Sequence, residues 1–385
     1  MLRAKLLRDL RRTPLQSLLV VIAVALAASL AATGAAFAAQ LLASNGALLA
    51  QADVPHLVQM HAGAIDRAAI DEFAEGAPDV VRGAAVELVA LDSTRLALEP
   101  GTTEAAGAVE YSATASAPDA DRLLGLDGEP AVIEPGGLGL PVGIALDRGL
   151  AVGDPIVIGE AEFTVTALIR DALMGSDLAS SRRLLVAEAD LDALRHGSGG
   201  SEWLIEFWLD DPALAPRVYD DYLAAGLPAN GPMVDLTTFR LLNGLSDGLI
   251  AAAMLVVAGL LAGVAAMLLS IVVRTSISSA APQIGVLRAI GLRGAPLHRL
   301  MLGRHFALIL AGALVGALAA IALTPLATGS MRLRFGGEPS PLALVAALGI
   351  AAFVAIAGLA LAVATLRPAL RGSPLPAMRG AIAPR

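Results

Sequence analysis

Four stretches of this chain carry no charged residue: Leu18–Ala39, Gly248–Val273, Phe306–Thr328 and Pro341–Leu366, each at least 22 residues long. A helix crossing the hydrocarbon core of a bilayer needs about 20 mainly apolar residues, and a charge at its centre would be costly. Ser29 and Thr33 in the first stretch and Ser270 in the second are the main polar interruptions. The competing reading, four buried helices of a soluble core, requires polar faces that these runs lack. Composition agrees: 56% of residues are hydrophobic, 16% are charged and mean hydropathy is +0.71, which excludes a disordered chain. There is no cysteine, so thiolate metal sites, disulfides and cysteine nucleophiles are excluded. The net charge of −8 argues against a nucleic-acid binder.

The Ala36-Phe37-Ala38 run has the small residues of a signal cleavage site, but its apolar stretch exceeds the roughly 7–15 residues of a secretory signal. An uncleaved anchor is expected. Charge then orients the helices. Residues 1–14, 274–305 and 367–385 together carry net +13, whereas residues 40–240 carry net −21. By the bias of basic residues toward the cytoplasm, both termini and the 274–305 loop are expected inside and residues 40–240 outside.

The outer block alternates strand and helix patterns. His56–Met60 reads as a strand, Ile65–Ala74 as a helix and Val80–Leu91 as a strand; Trp203–Leu209, Pro212–Ala225 and Met233–Leu236 repeat the sequence. Two β-α-β units predict a split, ferredoxin-like subdomain. Between them, Ile156–Ile158 and Glu162–Ile169 flank Gly159-Glu160 as a hairpin, and the strand Leu184–Val186 leads into a helix over Glu188–Leu194. Pro130–Pro141 and Gly197–Gly200 read as loops. The fold class is therefore a four-helix membrane protein with one α/β extracytoplasmic domain between helices 1 and 2.

Motifs for catalysis are weak. No phosphate-binding Gly-x-x-x-x-Gly-Lys pattern occurs, and Lys5 is the sole lysine. Gly244-Leu245-Ser246-Asp247-Gly248 matches a hydrolase nucleophile pattern, but that chemistry needs a strand–turn–helix elbow, and this motif sits at the mouth of the second apolar run. Its glycines are expected to accommodate a bend, and Asp247 to be an ordinary interfacial residue. His56, His61 and His196 show no triad context. His298 and His305 are read as interfacial, and the histidines lack metal spacing. No catalytic, cofactor or metal residue is expected. Gly259/Gly263 and Gly312/Gly316 are Gly-x-x-x-Gly pairs, and Ala27, Ala31, Ala35 and Ala39 make a similar stripe. Such spacing permits close helix packing, with dimerisation as an alternative use. The segments offer no polar lining for a hydrophilic solute.

The loop after the second run is the most informative. Ser278 and Ser279 precede Pro282, which suits a helix start. Gln283-Ile284-Gly285-Val286-Leu287-Arg288-Ala289-Ile290 then places Ile284, Leu287 and Ile290 on one face, with Gly291 as a C-terminal cap. Such a helix either lies on lipid or docks into a partner groove; physics alone does not choose. With Gly291, this run resembles the E-I-G-x-L-R-A-x-G pattern of FtsX/MacB-type permeases of ABC transporters, with Gln283 replacing the usual acid. Leu146–Asp154 followed by Phe163-Thr164-Val165 resembles that family's MacB-like outer domain, and Pro374–Arg379 its C-terminal end.

The resemblance implies a permease subunit of the bacterial cytoplasmic membrane. A separate cytoplasmic ABC ATPase would bind ATP and magnesium and contact Gln283, Ile284, Gly285, Leu287, Arg288, Ile290 and Gly291, the coupling helix. A second permease copy or homologue would complete the assembly, and a periplasmic adaptor or lipoprotein is a further partner class. The layout is then 1–14 cytoplasmic, 15–52 first helix and stalk, 53–240 outer domain, and 241–273 stalk and second helix. Residues 274–305 form the coupling loop, 306–328 the third helix, 329–340 an outer loop, 341–366 the fourth helix and 367–385 a cytoplasmic tail. The alternative is a membrane-anchored sensor or scaffold without an ATPase.

Overall fold

The computed structural model describes residues 14–98, 110–117, 119–175, 181–195, 200–289 and 295–371, excepting the side chains of 280–301 and 367–371. Its described residues divide into a helical unit within Met1–Gln40, Leu249–Gly329 and Pro339–Arg385, and a sheet unit within Leu41–Gly248 and Ser330–Glu338. Among the described residues, four helices are long and apolar enough to cross a membrane: α1 (Pro14–Gln51), α6 (Leu236–Ala289), α7 (Ala295–Phe335) and α8 (Pro341–Arg371). At 1.5 Å per residue, α1 and α6 reach about 57 and 81 Å, well beyond the roughly 30 Å of a hydrocarbon core.

The helical unit packs through small side chains. Ala32, Ala36 and Ala39 of α1 meet Ala320 of α7 and Ala343 and Ala347 of α8. Of the Ala27/Ala31/Ala35/Ala39 stripe expected from spacing, Ala27 and Ala39 are buried and Ala31 and Ala35 half-buried, while Ala28, Ala32 and Ala36 are also buried. A larger cluster of Val20, Val24, Leu269, Val273, Ile309, Ala313 and Leu366 joins all four helices. Because lipid is as apolar as these side chains, close fit rather than water exclusion holds such contacts.

The sheet unit contains ten strands in the order β10-β1-β9-β2-β4-β8-β5-β7-β6-β3. Its first half is the split β-α-β pair. Strand β1 (Leu57–Ala62), α2 (Arg67–Gly76) and β2 (Val80–Leu91) interleave with β9 (Ser201–Leu209), α5 (Ala215–Ala224) and β10 (Met233–Asp235). β1 lies antiparallel between β10 and β9, and β9 pairs antiparallel with β2. Alternation explains the fit: Ile205, Phe207 and Leu209 point to one face, where Ile70 of α2 and Val218 and Tyr222 of α5 cover them. Phe73, Phe207 and Tyr222 meet edge-to-face at 5.4–5.7 Å, each pair contributing about 0.5–1.5 kcal/mol beyond its buried area. Asp66 caps α2 by accepting the Ala69 N–H.

Inserted between β2 and β9 is a second lobe: β3 (Leu96–Ala97), β4 (Glu110–Thr114), β5 (Gly137–Pro141), α3 (Val142–Arg148), β6 (Pro155–Ile158), β7 (Ala161–Ile169), β8 (Ser181–Leu185) and α4 (Glu188–Arg195). β6 and β7 form the expected hairpin around Gly159 (φ +65°). β5, read from sequence as the end of a loop, is instead a fully buried strand pairing in parallel with β7. Of the expected Gly197–Gly200 loop, residues 197–199 lie outside the described residues.

Candidate functional site

Three places in the fold bear on function. The first is the segment singled out as the partner contact. Residues Gln283 to Ala289 are helical, as expected, but they continue α6 without a break. The start expected at Pro282 is absent because Ser278 and Ser279 do not cap. Their hydroxyls donate back to the carbonyls of Thr275 and Ser276, serving the helix they belong to. Gln283, Ile284, Gly285, Leu287 and Arg288 therefore lie on the last turns of a 54-residue helix. Ile290 and Gly291 lie outside the described residues.

The Gly-x-x-x-Gly pairs separate sharply. Gly312 and Gly316 of α7 press on α1: a Cβ on Gly312 would stand 2.9 Å from the Val21 carbonyl oxygen, and one on Gly316 only 2.7 Å from the Ala25 carbonyl oxygen and the Ala28 Cβ. Gly259 and Gly263 of α6 have nothing within 4 Å. Near the other end of this packed pair, Arg304 donates to the Ser17 hydroxyl at 2.8 Å.

The second place is a charge cluster inside the sheet unit. Arg183 of β8, 1% exposed, donates to both oxygens of Asp121 (2.9 and 2.6 Å) and both of Asp171 (2.7 and 2.6 Å). Asp171 also accepts the Leu173 and Met174 N–H groups. Beside them Glu206 of β9, wholly buried, accepts the Asp121 backbone N–H at 3.0 Å. Three buried carboxyls face one guanidinium. Burial opposes ionisation of Asp171, but Arg183 and the two N–H groups outweigh it and hold its pKa below the usual carboxylate value. Burial, reinforced by Asp121, pushes Glu206 well above the usual range, which favours its protonated form. This network fixes the 119–124 segment against β8 and β9. Its members were not singled out in the sequence, because no spacing links positions 121, 171, 183 and 206.

The third place is where the ends of several helices meet within the sheet unit. Asp247, expected as an ordinary interfacial residue, is buried and accepts two hydrogen bonds from Arg334 at 3.0 and 3.1 Å. Asn243, one turn earlier on α6, donates to the Ala172 carbonyl at 2.6 Å. At Gly244 and Gly248, where a bend was expected, α6 continues as helix. Ser246 thus sits mid-helix, without the elbow a serine nucleophile needs. Two outer histidines serve the backbone: His56 Nδ1 accepts the Leu209 N–H, and His61 Nδ1 the Asn230 N–H; His196 lies outside the described residues. His305 is buried.

Residues 255–369 match the FtsX-like permease C-terminal family. The match takes in α6 from Leu255, all of α7 and nearly all of α8, with the 283–291 run inside it. It supports an ABC-transporter permease-type role and a non-enzymatic transport subunit. No curated protein matches the chain.

Proposed function

We propose that this chain is the permease subunit of an ABC transporter complex, in which a separate cytoplasmic ATPase drives conformational work in an outer, MacB-like domain. The observation that carries the reading is the FtsX-like match over 255–369, which includes the Gln283–Gly291 run. In this reading that run is the ATPase contact, the ATP and magnesium belong to the partner, and two permease copies sit in a bacterial cytoplasmic membrane with both termini inside. The charge split of +13 against −21 supports the orientation. Conformational work rather than passage of a polar solute is favoured by the hydroxyls of the apolar runs. Those of Ser270, Thr324, Thr328 and Thr365 donate to carbonyls of their own helices. The work done would be export, lipoprotein or lipid handling, or signalling. The test is affinity purification of the tagged full chain from native membranes. Retention of a P-loop ATPase whose turnover depends on the permease supports the reading; a chain that purifies without one contradicts it.

A further inference from the structure

Arg170 closes the end of β7 and is 9% exposed, yet among the described residues it pairs with no carboxylate in hydrogen-bond contact. Its Nε donates to the Leu333 carbonyl at 2.9 Å, and its Nη1 to the carbonyls of Gly125 and Leu126 at 3.3 and 3.1 Å. Leu333 lies in the last turn of α7, where carbonyls have no partner within the helix; a guanidinium there satisfies one of them and complements the negative helix end. The chain then reverses through Gly336 and Gly337, at φ +75° and +87°. A Cβ on Gly336 would stand 2.9 Å from Arg170 Nη1, so the reversal is wrapped on the guanidinium. Between these two points Arg334 reaches Asp247 of α6, and Asn243 holds the Ala172 carbonyl just beyond Arg170. A connection of a few residues between two helices needs no buried charge, and burying charge is costly unless every partner is in place.

We propose that Arg170 clasps the end of α7 to the sheet domain, with Arg334 tying the same end to Asp247 of α6, and that this clasp transmits displacement of α7 to that domain. The inference rests on the permease reading. α7 begins at Ala295, four residues after the proposed ATPase contact ends, and continues as one helix, through Pro325, to Phe335. Arg170 and Arg334 are positioning residues: they touch neither nucleotide nor ATPase.

The test uses the full chain in lipid nanodiscs, alone and with its ATPase. Hydrogen exchange on the chain alone judges the clasp. Arg170→Ala removes three charge-assisted bonds, and exchange at 330–338 should rise about tenfold or more, with β1, β2 and β9 unchanged; unchanged exchange at 330–338 overturns the proposal. Turnover judges transmission. Arg170→Ala should lower permease-dependent ATP turnover severalfold while ATPase co-purification stays normal. The chain contains no cysteine, so a lock is available: a Cβ on Gly337 would stand 3.8 Å from the Ser44 Cβ, near the roughly 3.8 Å typical of disulfides. Cysteine at the positive φ of residue 337 is strained, so the reduced Ser44→Cys/Gly337→Cys chain is the baseline. Oxidation of that lock in the Arg170→Ala background should restore turnover, and reduction should abolish the rescue. Normal turnover despite raised exchange overturns transmission, as does a loss that the oxidised lock does not restore. A wild-type chain that retains no ATPase refutes the permease reading and transmission with it, while the exchange comparison still decides the clasp.

Discussion

Adding one methyl group at Gly316 and one at Gly263 distinguishes contact from coincidence in two motifs that look alike. At Gly316 the new Cβ would lie 2.7 Å from the Ala25 carbonyl oxygen and the Ala28 Cβ, and 3.1 Å from the Ser29 nitrogen. Carbon–carbon contacts settle at about 3.5–4.0 Å, so α7 must retreat from α1 by about 0.8 Å or more. A gap of that order forfeits a quarter to a half of each neighbouring dispersion contact, and overpacking of this kind costs about 1–3 kcal/mol. At Gly263 nothing lies within 4 Å. There Gly→Ala relieves backbone entropy, with an upper bound of about 1 kcal/mol of stabilisation. Intrinsic fluorescence would miss the difference, because Trp203 and Trp208, the only tryptophans, are both in β9. The assay is instead thiol labelling of Ala32→Cys, at a wholly buried site of α1, followed through denaturation of the detergent-solubilised chain. Gly316→Ala should label at lower denaturant than its parent, and Gly263→Ala at the same or higher. Equal behaviour of the two would refute the α1–α7 packing.

Arg183→Met should be far more damaging than an average substitution. It leaves Asp121 and Asp171 buried without their partner, a loss of about 3–5 kcal/mol, read as a lower melting temperature by tryptophan fluorescence. Glu206→Gln should change the pH dependence instead. Because the folded pKa of Glu206 is raised, its contribution is complete below the unfolded value of about 4.3 and falls as pH rises toward and through the folded pKa. The glutamine variant should therefore gain stability over wild type with increasing pH and match it most closely in acid; the opposite trend would remove the proton from Glu206. Glu87, held below the usual value despite burial by hydrogen bonds from Arg195 and Ser201, works in the reverse sense. Its contribution is present above the unfolded pKa and lost as pH falls through the folded one, so Glu87→Gln should flatten the acid limb of the melting profile.

The helices were legible because the absence of charge over 22 or more residues admits few other folds, although their ends extend past the apolar runs into polar flanks that periodicity does not mark. The β-α-β pairs were legible from the apolar runs of β2 and β9 and the helical spacing of Ile70 and Phe73. β5 was not, since Gly137, Gly139 and Pro141 are turn residues by composition. The glycines are there for space: a Cβ at Gly137 would sit 2.9 Å from the Thr166 hydroxyl, and one at Gly139 3.0 Å from the Leu185 Cβ. The Arg183 network and the Asp247–Arg334 pair join residues 87 positions apart in the latter case, and no local signal announces either. Only tertiary contact tells the packed Gly312/Gly316 pair from the open Gly259/Gly263 pair.

In the proposed assembly the end of α6 engages a cytoplasmic ATPase. This engagement is tested most directly by ATP turnover of the reconstituted permease–ATPase complex carrying Leu287→Asp. The substitution removes the burial of a leucine side chain, worth about 1.5–3 kcal/mol, and places an unpaired charge in the proposed contact. Membrane insertion should be normal, while ATPase retention and permease-dependent turnover should be lost. Normal retention with normal turnover would show that this segment is not the coupling element, and would favour a helix end resting on lipid.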